Sequence, residues 1–125
     1  KAIDSFRLIP PQPCRNDFLL KHIASKSFKE ITSGWVLKSD ATIMRTYEYE
    51  DLTDVFMTLK CPIHLVYGLM SQIFSQEILE YTKYVGNIPE EAVVGIPGAM
   101  HHLFIDEPIL FIEEIKKVLK IGVNS

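Results

Sequence analysis

Apolar and polar positions divide the chain into two stretches of different character. The later one, residues 60–125, is regular. Within it "CPIHLVYG", residues 61–68, is a short and nearly all-apolar run bounded by Pro62 and Gly68. A run of that length without alternation predicts a strand covered on both faces, as parallel strands are. "SQEILEYTKYVG" predicts a helix, with Ser75 at the N-cap and Gly86 just past the end. Ile78, Leu79, Thr82 and Val85 share one face of it. "EAVVGIPG" predicts a second buried strand over residues 92–96. "DEPILFIEEIKKVLKIG" predicts a closing helix with Pro108 in its first turn and Gly122 available to end it. Its inward face is Ile112, Ile115, Val118 and Leu119, and Glu113 and Glu114 are spaced to pair with Lys117. Strand, helix, strand, helix in this order is a right-handed βαβ unit with parallel strands.

The earlier stretch, residues 1–54, is irregular and mainly helical in pattern. "PPQPC" cannot continue a helix, because proline lacks the amide donor and restrains its predecessor. "NDFLLKHIASKSFKE" then predicts a helix over residues 16–30, capped by Asn16 or Asp17, with Leu19, Leu20, Ile23 and Phe28 as its apolar positions. "TSGW" breaks it, and Trp35 reads as a packed aromatic anchor more readily than as a hinge. "DATIMRTYEY" predicts a short helix capped by Asp40, and "DLTDVFMTLK" another short amphipathic segment. Asp51 and Asp54 read as solvated caps, and His22 as a helix-surface residue.

A sheet of only two parallel strands is not stable by itself, since parallel strands need neighbours and helices on both faces. The pattern therefore predicts that the sheet continues into further strands, upstream in a longer protein or in a partner copy. The opening "KAIDSF" has no Met and reads as a processed, excised or partial chain.

Composition narrows the function classes. Of 125 residues, 47% are hydrophobic and 23% charged, an ordinary globular balance rather than that of a disordered chain or coiled coil. A net charge of -3 gives no footprint for nucleic acid. The apolar runs fall far short of the ~20 residues of a membrane span, and no secretory signal is visible. Cys14 and Cys61 are far apart and read as free thiols of a reducing, cytoplasmic protein.

Chemistry in parallel α/β sheets gathers at the carboxyl ends of the strands. Those ends are "YGLMSQIF" and "GAMHHLF", which a parallel topology brings to one edge. His101 and His102 thus stand on the functional edge, as a polar turn or as a general base. A zinc site from His64, His101 and His102 is disfavoured, because His64 falls inside a predicted buried strand and no third-ligand spacing accompanies the pair. Leu69, Met70, Phe74, Met100 and Phe104 are candidates to line a pocket, or equally core residues. Asp106 reads as the cap of the last helix more readily than as an acid partner.

"CPIHLVYGLMSQIFSQEILEYTKYVGNIPEEAVVGIPGAMHHLFIDEPILFIEEIKKVL" resembles the C-terminal third of an α/β-hydrolase-fold protein. The family pattern there is strand, "G-x-x-D/S", helix, strand, "P-G-A-G-H-x", then "D-x-P" opening the last helix. Less specifically, "FRLIPPQPCRNDFLLKHIASKSFKEITSGWVLKSD" is similar to the end of a lid plus linker. The resemblance implies an α/β fold in which residues 1–54 are a helical lid remnant and linker. Residues 55–125 would be the C-terminal part of the hydrolase core, with an incomplete sheet. It implies that His101 is the triad histidine, general base toward a serine and then general acid toward the leaving group. His102 would be a supporting second histidine.

This chain departs from the family pattern in three places. None of its six glycines frames a G-x-S-x-G nucleophile elbow. Ser71 occupies the usual acid position, where a hydroxyl cannot stabilise an imidazolium as a carboxylate does. Met100 replaces the glycine common before the histidine. The expectation is a fragment of a serine-type hydrolase for a small ester- or amide-like carbonyl substrate, without cofactor or metal, and inactive alone. The alternative is a non-catalytic assembly module whose sheet is completed by a homodimer or a partner chain. A third option is a relative that has lost its acid.

Overall fold

The structure of the protein, a computed structural model, describes residues 2–40 and 42–120. The chain forms two compact units, one ending at Glu50 and the other beginning at Asp51.

The first unit contains helix α1 (Asp17–Ser27), a hairpin of β1 (Phe28–Ile31) and β2 (Gly34–Leu37), and a single helical turn, α2 (Ile43–Thr46). The helix expected to run through Glu30 stops at Ser27, so this stretch is not helical throughout. Ser27 Oγ donates back to the Ile23 carbonyl at 2.8 Å, a bond that competes with continuing the helix. Phe28 then falls off the three-to-four spacing set by Ile23. The chain instead turns at Thr32 and Ser33, and Gly34 supplies the φ of 129° that other residues rarely adopt. The hairpin is antiparallel, with Phe28 opposite Leu37 and Glu30 opposite Trp35. Trp35 is 58% exposed rather than a packed anchor. It flanks a shallow cleft of about 300 Å³ with Ile3, Ser25 and Phe28. The N-cap of α2 is Thr42 rather than the expected Asp40, which lies two residues earlier and accepts from the Thr42 amide at 2.8 Å and its hydroxyl at 2.7 Å.

The second unit runs α3 (Thr53–Met57), β3 (Leu65–Gly68), α4 (Gln76–Gly86), β4 (Val93–Ile96), α5 (Leu103–Asp106) and α6 (Pro108–Leu119). Asp51 Oδ1 accepts the Thr53 amide at 3.0 Å, opening α3. β3 and β4 pair in parallel, Leu65 opposite Val93 through Gly68 opposite Ile96. β3 is shorter than the apolar run, because the ladder exists only where β4 supplies partners. His64 therefore lies outside the strand and is exposed, not buried.

Ser75 caps α4, its Oγ accepting the Ile78 amide at 3.3 Å. Leu79 and Val85 are buried beneath it, while Ile78 is 43% exposed. Asn87, with φ 47°, takes the left-handed C-cap position expected of Gly86. Lys83 pairs with Glu80 at 3.3 Å and with Glu90 at 2.5 Å, tying the end of α4 to the turn that enters β4. The core of this unit is Leu79, Val85, Ile88, Ala92, Ile96, Ala99 and Ile105.

The closing helix is broken in two. Glu107 sits at φ -130° and ψ 63°, outside the helical region, as the residue before a proline is driven to be. Pro108 then starts α6, and Lys117 pairs with Glu114 at 2.5 Å. Ile115 and Val118 are half-buried, but Ile112 (48% exposed) and Leu119 (59%) do not face inward. The helix ends with Lys120 at φ 53°, and Gly122, expected to end it, lies outside the described residues. Leu65, Val66, Tyr67, Val93, Val94 and Gly95 are likewise only half-buried, where covered strands were expected. The same cause explains both. The described residues supply no further strand against β3 or β4. No described helix is long and apolar enough to cross a membrane.

Candidate functional site

Because β3 and β4 are parallel, the turns that follow them leave the same edge of the sheet. Main-chain bonds tie these turns together: Leu69 N–H to the Ile96 carbonyl at 3.1 Å and Met70 N–H to the Ala99 carbonyl at 2.9 Å. The two backbones approach so closely at Gly68 that an added Cβ would overlap the Met100 carbonyl oxygen and lie 2.5 Å from that of Ala99. Glycine is required there by space. At Gly98 it is favoured by conformation, since φ is 75° where the chain turns back after Pro97.

A second tie holds the same loop from the other side. Met100 N–H donates to Asp106 Oδ2 at 2.8 Å, and Asp106 is only 8% exposed. Asp106 is therefore not the cap of the last helix. It ends α5, and its carboxylate turns back to the loop; the residue before α6 is Glu107, which makes no side-chain capping bond. Nothing in local periodicity signals this contact. The only hint is an acid two residues before a proline, close to where the helix must break.

His101 is exposed and His102 half-buried, their rings edge-to-face with centroids 5.3 Å apart. His102 packs edge-on to Phe104 at 6.2 Å, and Phe104 lies 6.3 Å from Phe111 of α6. The histidine pair thus sits at the end of a row of aromatic rings, with His101 the more accessible.

The other sequence-selected residues gather here to different degrees. Leu69 and Met70 are about half exposed, and Leu69 lies over Gly95, where a Cβ would collide with it. Met100 is half-buried in the loop itself, and Phe74 reaches the edge through Tyr67, at 5.4 Å between ring centroids. Phe104 is 48% exposed. Of the five, Leu69, Met70 and Phe104 are exposed and Phe74 and Met100 half-buried. Ser71 is half-buried; its hydroxyl oxygen is fully covered and has no hydrogen-bond partner among the described residues. A cleft of about 710 Å³ lies at the amino ends of the strands, lined by Cys61, Pro62, His64, Asn87, Glu91 and Ala92 among others. Its size suits a small molecule, but it is at the wrong end of the sheet for strand-end chemistry. His64 belongs to that end, remote from His101 and His102. Among the described residues no group of three or more His, Cys, Asp or Glu side chains could hold a metal ion. Cys14 and Cys61 are both unpaired thiols, and Cys61 is exposed.

No family model matches this chain, and no curated protein matches it by sequence. Among solved structures, E-2-(acetamidomethylene)succinate hydrolase is similar, with a TM-score of 0.67 and 20% sequence identity over 81% of this chain. The match takes in 38% of that hydrolase, so this chain spans well under half of its length. That protein is a hydrolase of the α/β-hydrolase type; at this identity the likeness is one of fold, and the chain has an α/β fold shared with part of it.

Proposed function

We propose that this chain is the C-terminal portion of a serine-type α/β hydrolase and carries its triad histidine, His101. The observation that carries the reading is the loop after β4, an exposed histidine on the strand-end edge whose preceding residues are tied to the turn after β3. The fold likeness to a hydrolase supports it.

In this reading the nucleophilic serine and the orienting carboxylate come from parts of the fold that this sequence does not contain, and residues 1–54 are the end of a lid. His101 takes the proton of the attacking serine and returns it to the leaving group. Leu69, Met70, Phe74, Met100 and Phe104 would line the approach of an ester- or amide-like carbonyl substrate. Ser71 stands where an acid would serve elsewhere, and its covered hydroxyl cannot replace a carboxylate.

The test has two arms. The chain alone is expected to turn over no ester and to take up no fluorophosphonate. In a longer polypeptide that carries it, His101→Ala is expected to cut ester turnover by about 10³-fold or more, and His102→Ala by less than tenfold. Turnover by the chain alone that a serine-directed phosphonate abolishes would overturn the reading, as would full turnover by the His101→Ala protein. The half-buried strands and exposed α6 residues also fit a second reading, a non-catalytic module whose sheet is completed by a second copy or another chain. A stable symmetric dimer with no hydrolytic activity in any longer form would favour it.

A further inference from the structure

We infer that Asp106 is the positioning residue of His101. The inference rests on the reading of His101 as a base.

Two bonds bracket that histidine, and both involve Asp106. Its carboxylate accepts the Met100 amide at 2.8 Å, one residue before His101. Its own amide donates to the His102 carbonyl at 3.3 Å, one residue after. The carbonyl end of the same Ala99–Met100 peptide accepts from Met70 N–H at 2.9 Å, so both polar groups of that peptide are engaged. Ala99 is 0% exposed and Ile105, beside Asp106, 1% exposed, so the bracket stands on packed residues. His101 is the exposed member between these fixed points.

Chemistry explains why the residue is an aspartate. A carboxylate accepts an amide hydrogen more strongly than a neutral group does. It is held at the end of α5 by the break that Pro108 imposes, and from there it reaches back six residues. A shorter side chain would not reach the Met100 amide from that place. Proton transfer depends steeply on where the base stands, so a device that fixes the backbone on each side of His101 acts on rate through position.

The test separates this inference from the reading beneath it. In the chain, Asp106→Ala is expected to speed hydrogen exchange at the Met100 amide at least tenfold while the Ile96 and Leu79 amides stay unchanged. The His101 backbone order parameter should fall from about 0.85 to below about 0.6. Asp106→Asn, which keeps an acceptor oxygen in the same place, should retain most of both. Should the Ala variant fail to fold, Asp106→Ser, too short to reach, is expected to show the same loss. In the longer polypeptide, Asp106→Ala should lower kcat by 10-fold or more with KM unchanged, and Asp106→Asn should restore most of it. Unchanged Met100 exchange and His101 order in a folded Ala or Ser variant would overturn the inference, whatever the activity. A loosened loop in a polypeptide whose turnover ignores His101→Ala would overturn the reading of His101 instead.

Discussion

Gly68→Ala should be among the most damaging single-methyl additions to the second unit. The new Cβ would overlap the Met100 carbonyl oxygen and stand 2.5 Å from the Ala99 oxygen and 2.8 Å from the Ala99 carbonyl carbon. These are backbone atoms, so no side chain can swing aside to relieve them. Restoring ordinary contact requires the loop after β4 to retreat by about 1 Å. That movement breaks the Met70 bond to Ala99 (2.9 Å) and the Leu69 bond to Ile96 (3.1 Å). Two such bonds contribute about 0.5–1.5 kcal/mol each. Forced overpacking adds about 1–3 kcal/mol. The sum, about 4 kcal/mol, is a large share of the ~5–15 kcal/mol that holds a domain folded. At about 4–8 °C per kcal/mol for a domain of this size, Tm should fall by at least about 15 °C. Urea unfolding followed by far-ultraviolet circular dichroism measures the change, and hydrogen exchange at the Met70 amide locates it. A stability within about 0.5 kcal/mol of the parent, with Met70 still protected, would refute the claim that the two strand ends touch at Gly68.

Two further outcomes follow from single hydrogen bonds. Ser75→Ala removes the acceptor of the Ile78 amide at the start of α4. It should cost about 1 kcal/mol in urea unfolding, whereas no change would mean that water replaces the cap. The Asp51 carboxyl is held below the ordinary carboxylate range by the Thr53 hydroxyl first and the Thr53 amide second. A depressed folded value means that this capping contribution is present above the unfolded pKa and is lost as pH falls through the folded one. Thr53→Ala should move the Asp51 midpoint upward, toward the ordinary value, in a carbon-13 titration of its carboxyl. An unmoved midpoint would rule out the hydroxyl as the main cause.

The order strand, helix, strand, helix was legible because β3 and β4 lie in short unbroken apolar runs and α4 and α6 carry a helical period, each bounded by a cap or breaker. Ser75 and Pro108 announce starts that the structure places there. The β1–β2 hairpin was not legible. Its strands have four residues each, and Lys29 and Glu30 suit a helix as well as an exposed strand. Only the pairing with Trp35 and Val36 decides between them. Burial was misread for the same kind of reason. Ile112, Leu119 and the β3 residues look like interior positions, but periodicity says which face is apolar and not what covers it. His101 could be placed on an edge from strand order alone. The contact of Asp106 with Met100 could not, because it depends on where a broken helix aims one side chain.

The hairpin has a spectroscopic consequence. The chain has a single tryptophan, Trp35, and it lies on β2 in the first unit. Tyr67, Tyr81 and Tyr84 belong to the second unit, which has no indole. Selective tryptophan emission therefore originates in the hairpin, and the unit that carries His101 contributes no emitter of its own. A melting curve recorded by that signal alone would describe the unit without the histidine edge. Comparing it with a backbone signal tells whether the two units lose structure together or one before the other.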